Sequence, residues 1–259
     1  MTRMSLTGRV WLVLAGLVCA AVATTEGKAA EVKVLTSVAL TSALDELARQ
    51  FERDTGDKLT IGYSLIADIR KRILEGESAD VIILSRPVMD ELQKQDKFAA
   101  GSIVNVAGTA VSMAARAGAP KPDITSVDAF KSSLLAAKSI VYADPAKGGA
   151  SGVYFARVLD RLGIAEQMKA KTILVPGAQA ADVVAKGEAE LGVAQASEIV
   201  AVAGAQLVGP LPGEYASMTV FTAGIGAGSK APEAAKALIQ FLTGPSAAPV
   251  FKSKGFEPG

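Results

Sequence analysis

Histidine is absent from the 259 residues, and cysteine occurs once, at Cys19. Without histidine there is no Ser-His-Asp relay, no imidazole metal ligand and no ordinary acid–base group titrating near neutrality. With cysteine confined to the N-terminal apolar run, thiol catalysis, zinc–thiolate sites and structural disulfides are not expected of the folded part. Lysine plus arginine (27) nearly equals aspartate plus glutamate (26), with no block of either sign, so the basic stripe of a nucleic-acid surface is missing. Gly149-Ala150-Ser151-Gly152 lacks the G-x-S-x-G spacing of a nucleophile elbow, and Gly148, Gly149 and Gly152 lack the spacing of a phosphate loop. No catalytic residue, metal or cofactor is therefore expected, and only carboxylate or lysine chemistry stays open to an enzyme. Aromatics are few, at 5%, while alanine and glycine are abundant, which suits close packing of helices on a sheet.

A membrane-spanning run of about 20 apolar residues is missing too. The N-terminus instead places Arg3 and Arg9 before a shorter apolar stretch, Val10 to Val18, continuing through Ala20–Ala23 into Thr24, Thr25 and Glu26. Charged, then apolar, then small is the order of a secretory signal peptide. Residues 1–30 are accordingly expected to be a leader and the protein periplasmic. Leu17-Val18 ahead of Cys19 lacks the small residue of a lipid-attachment site.

From Glu31 onward, short apolar runs alternate with amphipathic stretches, which implies α/β architecture. Strands are expected at Val32–Leu35, Lys58–Tyr63 and Asp80–Leu84, the last a nearly continuous apolar run of the kind buried in a parallel sheet. Between them lie a helix opening on a Ser42/Asp45 capping box and ended by Gly56, and a short helix from Asp68 to Leu74. Ser102–Ala115 reads as a crossover strand. A second series follows: helices at 126–137, 151–162 and 182–186, and strands at 139–142, 171–175 and 190–194. Ser217–Gly226 reads as a return crossover, then helices at Pro232–Leu242 and 247–254 close the chain. The expected organisation is residues 31–108 in a first lobe, 109–216 in a second, and 217–259 returning to the first. A ligand cleft between the lobes, at the strands' C-terminal ends, follows.

Several ordered segments carry a family resemblance. They are Val32–Leu35 through Leu40-Thr41, Glu75–Val81, Asp144-Pro145 with Gly148, Gly149, Gly152 and Tyr154, Glu188–Val193, and Lys254-Gly255-Phe256. Together they resemble the periplasmic molybdate-binding proteins of ABC importers, across essentially the whole chain after residue 30. The resemblance implies the two-lobed type II periplasmic-binding fold, a monomer, and an inner-membrane permease as partner. It also implies a pocket made of serine hydroxyls, helix-start N–H groups and a tyrosine hydroxyl.

The pocket positions themselves depart from that pattern. Ala39 stands at the first serine, Ala67 (or Ile66) at the second, and Gln195 at the tyrosine. Ser151 stands for a small apolar residue and Gly177 for a valine, while Ser37 and Ser64 lie nearby. The segments starting near Thr41, Asp68, Ser151 and Gln179 each follow a strand, so their free N–H groups favour an anion in the cleft. Asp68 and Arg86 add charges of opposite sign: Asp68 as a repulsive cleft group or a mere cap, Arg86 as a carboxylate clamp or a solvated loop residue. The candidate ligand-binding set is Ser37, Ala39, Ser64, Ala67, Arg86, Ser151, Gly152, Gly177 and Gln195. The expected role is capture of molybdate or another small anion for import. An organic carboxylate or other organic solute, a sensor using the same cleft, and a dehydratase-like enzyme are the alternatives.

Overall fold

The computed structural model describes residues 29–147 and 149–259, together with Met1. The expected leader, with Cys19, lies outside the described residues.

The first lobe opens with β1 (Glu31–Ser37), a 3-10 turn (Val38–Leu40), α1 (Thr41–Thr55), β2 (Lys58–Ser64), α2 (Ile66–Leu74), β3 (Val81–Ser85) and α3 (Arg86–Gln93). A 13-residue strand, β4 (Val104–Arg116), then leaves for the second lobe. That lobe holds α4 (Val127–Ala136), β5 (Ile140–Ala143), α5 (Ala150–Arg161), α6 (Ala165–Lys169), β6 (Thr172–Val175), α7 (Ala180–Lys186), β7 (Leu191–Gln195), α8 (Ala196–Val200) and β8 (Ala205–Pro210). β9 (Met218–Ile225) returns, and α9 (Pro232–Leu242), α10 (Ala248–Ser253) and the two-residue β10 (Glu257–Pro258) finish the first lobe.

One sheet runs through both lobes in the order β2-β1-β3-β9-β4-β7-β5-β6, with β8 and β10 pairing on β4. The long β4 makes this possible. Its residues 104–110 pair antiparallel with β9, and residues 111–116 pair with β7 and β8. The βαβ strands are parallel: β1 with β2 and β3 in one lobe, β5 with β6 and β7 in the other.

Local sequence explains most elements. In α1, Ala43, Leu44, Leu47 and Phe51 fall on one face and are buried, and Gly56 ends the helix at φ 81°. Val81–Leu84 is buried at every position between β1 and β9. The Ser126 hydroxyl caps α4 by accepting from the Ala129 N–H at 3.1 Å. Each lobe has its own core. Val32, Leu35, Phe51, Ile82 and Phe251 belong to one, while the second lobe's sheet carries one cluster around Phe130 and Phe155 and another around Val184 and Ile199.

Several expectations need correcting. The Ser42/Asp45 capping box does not form: α1 begins at Thr41 without a side-chain cap, and Asp45 instead accepts the Tyr63 hydroxyl at 2.7 Å. Arg86 sits in no loop but opens α3, whose Pro87 occupies a first-turn position that tolerates proline. α3, α6, α8, β8 and β10 were not anticipated. All but the eight-residue α3 are short, at two to six residues; α8, β8 and β10 take their structure from the sheet and α6 from α4 and α5, rather than from their own periodicity.

Two inter-element ties bear on the cleft. Asp80, 6% exposed, sits just before β3. Its carboxylate accepts from the N–H of Lys33 (2.8 Å), Lys230 (2.7 Å) and Ala231 (3.1 Å) and from the Ser229 hydroxyl (2.8 Å). It thereby joins β1 to the start of α9. Burial pushes its pKa up, yet these hydrogen bonds win and hold it below the ordinary aspartate value. At the base of the lobes, Thr109 of β4 accepts from the Ser197 N–H (3.2 Å) and donates to the Gly255 carbonyl (3.0 Å). Gly255 has φ 78°, and a Cβ there would stand 2.5 Å from Val200 Cγ2 and 3.1 Å from the Ala196 backbone, so this close approach demands glycine.

Candidate functional site: the cleft between the lobes

The cleft collects residues at or beyond the C-terminal ends of five parallel strands. Ser37 ends β1, with Val38 and Ala39 after it; Leu65 and Ile66 follow β2, and Ala143 ends β5, with Gly149–Ser151 beyond it. Gly177 and Ala178 follow β6, while Gln195 and Glu198 come at the end of β7. Phe221 of β9 also lines it. This is where a parallel α/β sheet leaves a crevice.

Two helices of opposite lobes start here without side-chain caps: α2 behind Leu65 and α5 behind Gly149. Their first-turn N–H groups have no partner within their own helices, and each helix dipole favours negative charge at this end. Ser37 Oγ accepts from the Ala39 N–H at 3.3 Å, which leaves its proton to donate. Ser151 is 5% exposed, and its hydroxyl has no hydrogen-bond partner among the described residues. Gln195, 2% exposed, donates from Nε2 to Thr219 Oγ1 at 2.9 Å. Gln195 and Glu198 bracket the first turn of α8 as a capping box, and the Gln195 N–H donates to Glu198 Oε2 at 3.1 Å. Gln195 Oε1 faces the Glu198 N–H in that box, yet it is buried without a full hydrogen bond.

Glu198 is the only charged residue lining the cleft among the described residues. It retains some surface open to the cleft but is ringed by protein, and that burial pushes its pKa up to about 7, against the lowering effect of the Gln195 N–H. Of the elements packed on α8, namely β7, β8, β4 and the 3-10 turn, only β4 carries a charge, Arg116 at its far end. Lys254, beyond α10, is engaged with Glu46 at 3.2 Å. Among the described residues on these elements, no cation therefore offsets the enclosure of Glu198.

The lobes touch across the cleft: Ser197 Oγ donates to the Ala39 carbonyl at 3.1 Å. The free space enclosed is about 20 Å³, room for about one water. A solute of several carbon atoms can enter only if the lobes part.

The sequence model of the family described as bacterial extracellular solute-binding protein matches residues 32–257. The chain belongs to that family. Among the relatives of this solute-binding protein, an aconitate isomerase of Pseudomonas sp. is 37% identical over 231 residues, 87% of each chain. The molybdate-binding protein ModA of Azotobacter vinelandii is 32% identical over 251 residues, 93% of this chain and 92% of that one. The solved structure of the Azotobacter vinelandii periplasmic molybdate-binding protein superposes with a TM-score of 0.73 at 22% identity, covering 88% of this chain and 99% of that one. The architecture is the two-lobed type II periplasmic-binding fold, as expected.

Of the nine residues anticipated for the site of this solute-binding protein, five line the cleft: Ser37, Ala39, Ser151, Gly177 and Gln195. Ser64 turns to Asp68, donating to its Oδ2 at 3.2 Å. Ala67 and Asp68 are exposed on α2, whose start falls two residues earlier than expected and brings Ile66 into the cleft in their place. Arg86 is drawn away by Asp90 (2.7 Å) and Asn105 (3.4 Å), so it neither faces Asp68 nor clamps a ligand. Gly152 lies one residue beyond the lining and serves packing. A Cβ there would stand 1.9 Å from the Ala143 carbonyl oxygen, so glycine lets α5 seat on β5. Sequence reasoning missed Glu198. The signal was an acidic residue three positions after the strand end at Gln195, a capping-box spacing just where a cleft helix starts.

Proposed function

We propose that this protein is a periplasmic receptor that captures a small organic carboxylate of the aconitate class and passes it to the permease of an ABC importer. The observation that carries the reading is the cleft's composition: uncapped helix starts from both lobes, two free hydroxyls and one carboxyl that gains a proton near neutrality. N–H groups at helix starts suit carboxylate oxygens, and each hydrogen bond to a charged group contributes roughly 1.5–3 kcal/mol. Protonated Glu198 adds a further donor, while Gln195 offers its unpaired amide oxygen to a protonated or hydroxylated ligand group. The 37% identity to a protein named for an organic tricarboxylate supports the same class.

A compact tetrahedral oxyanion is the second reading, favoured by the 32% identity to a molybdate-binding protein and by the small space between the lobes. Ala39 in the lining counts against it, because a dehydrated dianion requires donors for most of its oxygens and alanine supplies no hydroxyl. Export to the periplasm rests on the basic, apolar and small-residue order of residues 3–26.

Isothermal titration of trans-aconitate, cis-aconitate, molybdate and sulfate tests the reading. Micromolar or tighter aconitate binding that weakens in Gln195→Ala is the expected result. Tight molybdate binding unaffected by Gln195→Ala, with no response to aconitate, would overturn it.

A further inference from the structure

We propose that the cleft is also a proton-transfer site, in which Glu198 moves an allylic proton of a bound unsaturated carboxylate and so shifts its carbon–carbon double bond. The proposal rests on the carboxylate reading above and assigns Glu198 as a catalytic residue rather than a binding group alone.

Glu198 is placed for such a step. It projects from α8 into the cleft that the two lobes share, and one carboxyl oxygen is held while the other is free. Oε2 accepts from the Gln195 N–H, and among the described residues Oε1 has no hydrogen-bond partner. A base held at one oxygen keeps the other aimed without a competing partner. With histidine absent from the chain, no other side chain among the described residues lining the cleft can exchange a proton near neutrality. Ser37 and Ser151 do not ionise in that range, and Gln195 not at all. The raised pKa of Glu198 matches the requirement that a general base work near the ambient pH.

The step balances without a co-reactant. The Glu198 carboxylate takes a proton from the methylene group between a carboxylate and the double bond, breaking one C–H bond. The electron pair spreads over the three allylic carbons and the flanking carboxylate, and the carbon–carbon double bond moves one position along. Glu198 then returns the proton to the far allylic carbon, forming a new C–H bond. Nothing is oxidised or reduced. Negative charge that builds on the flanking carboxylate in the middle of this sequence is met by the N–H groups that open α5 and α2 and by the Ser151 hydroxyl, all in place beforehand. Parting of the lobes admits the solute, and their return excludes the water that would compete for the proton.

The probe is trans-aconitate, whose methylene group lies between a carboxylate and a double bond. Proton NMR in heavy water follows loss of the methylene signal and appearance of the cis isomer. Wild-type protein is expected to catalyse both, with a rate that rises with pH through an inflection near 7 as Glu198 ionises. Glu198→Gln keeps the shape and the hydrogen-bonding carbonyl. It should lower the exchange rate by about 10²–10⁴-fold while aconitate affinity, measured by titration on the same sample, changes by less than about tenfold. Glu198→Asp should recover part of the rate, and matching thermal transitions establish that each variant is folded. Wild-type protein that binds aconitate but exchanges no methylene protons would overturn this proposal and leave the receptor reading intact. Exchange equally fast in Glu198→Gln would overturn the assignment of the residue. Failure to bind aconitate would overturn both.

Discussion

Gly152→Ala tests whether the seating of α5 on β5 controls both stability and the cleft. In the wild type, a methyl group at this position would come 1.9 Å from the Ala143 carbonyl oxygen, 2.7 Å from its carbonyl carbon and 3.1 Å from its Cβ. Ordinary contact begins near 3.4 Å, so the start of α5 must rise about 1.5 Å off β5 or the strand must yield by as much. The obstacle is backbone, which cannot swing aside as a side chain would. Overpacking of this kind costs roughly 1–3 kcal/mol, and a backbone obstacle in a buried position sets the expected value at about 3 kcal/mol. For a folded part of this size that corresponds to a fall in Tm of about 6–12 °C. Displacing the helix also moves the α5 N–H groups and Ser151 away from the ligand by more than about 1 Å, so affinity should fall at least tenfold beyond the stability loss. Urea unfolding and ligand titration, at a temperature where the variant remains folded, separate the two effects. A variant within about 0.5 kcal/mol of wild type and of unchanged affinity would show that the contact relaxes freely and that α5 is not held by it.

Two further outcomes follow from the buried carboxyls, and their signs are opposite. Asp80→Asn should cost about 2–3 kcal/mol in urea unfolding at pH 7, since an amide oxygen cannot replace a carboxylate that accepts four hydrogen bonds; because the folded pKa is depressed, wild type and variant should converge as pH falls below the ordinary aspartate range. For Glu198 the folded pKa is raised from 4.5 to about 7, so the folded protein holds the extra proton between those values and stability should decline as pH rises across that window. Glu198→Gln should flatten that part of the stability–pH curve; an unchanged curve would mean that the carboxyl is solvated.

The fold was legible where its elements, long or short, carry strong patterns. The all-apolar Val81–Leu84 and the spacing of Leu44, Leu47 and Phe51 leave little choice of strand or helix. Some elements were not legible: the five residues Ala196–Val200 have too little periodicity to announce the helix that packs on β8 and β4. The cleft was half legible for a related reason. Strand ends were placed to within about two residues, and at the β2–α2 junction that tolerance exchanges Ala67 for Ile66 and turns Asp68 to the surface. Arg86 shows a different limit: its position after β3 was right, but a partner four residues on, Asp90, takes it out of contention. Glu198 was overlooked because nothing in the sequence says that a glutamate at a helix start has no cation beside it; that is a property of its neighbours on other elements.

The path of the chain also sets an order of assembly. The second lobe is one continuous stretch, with its strands, helices and cores close together in sequence, so it can form as soon as that stretch is available. The first lobe is stitched from both ends of the described chain: β3 has β1 on one side, but its other neighbour, β9, comes about 130 residues later. During synthesis or transport from the N-terminus, Val81–Leu84 therefore waits with one edge open while the whole second lobe is made. The most apolar strand of the first lobe is thus the last to be covered. For that interval, protection against pairing with a neighbouring chain has to come from outside the fold.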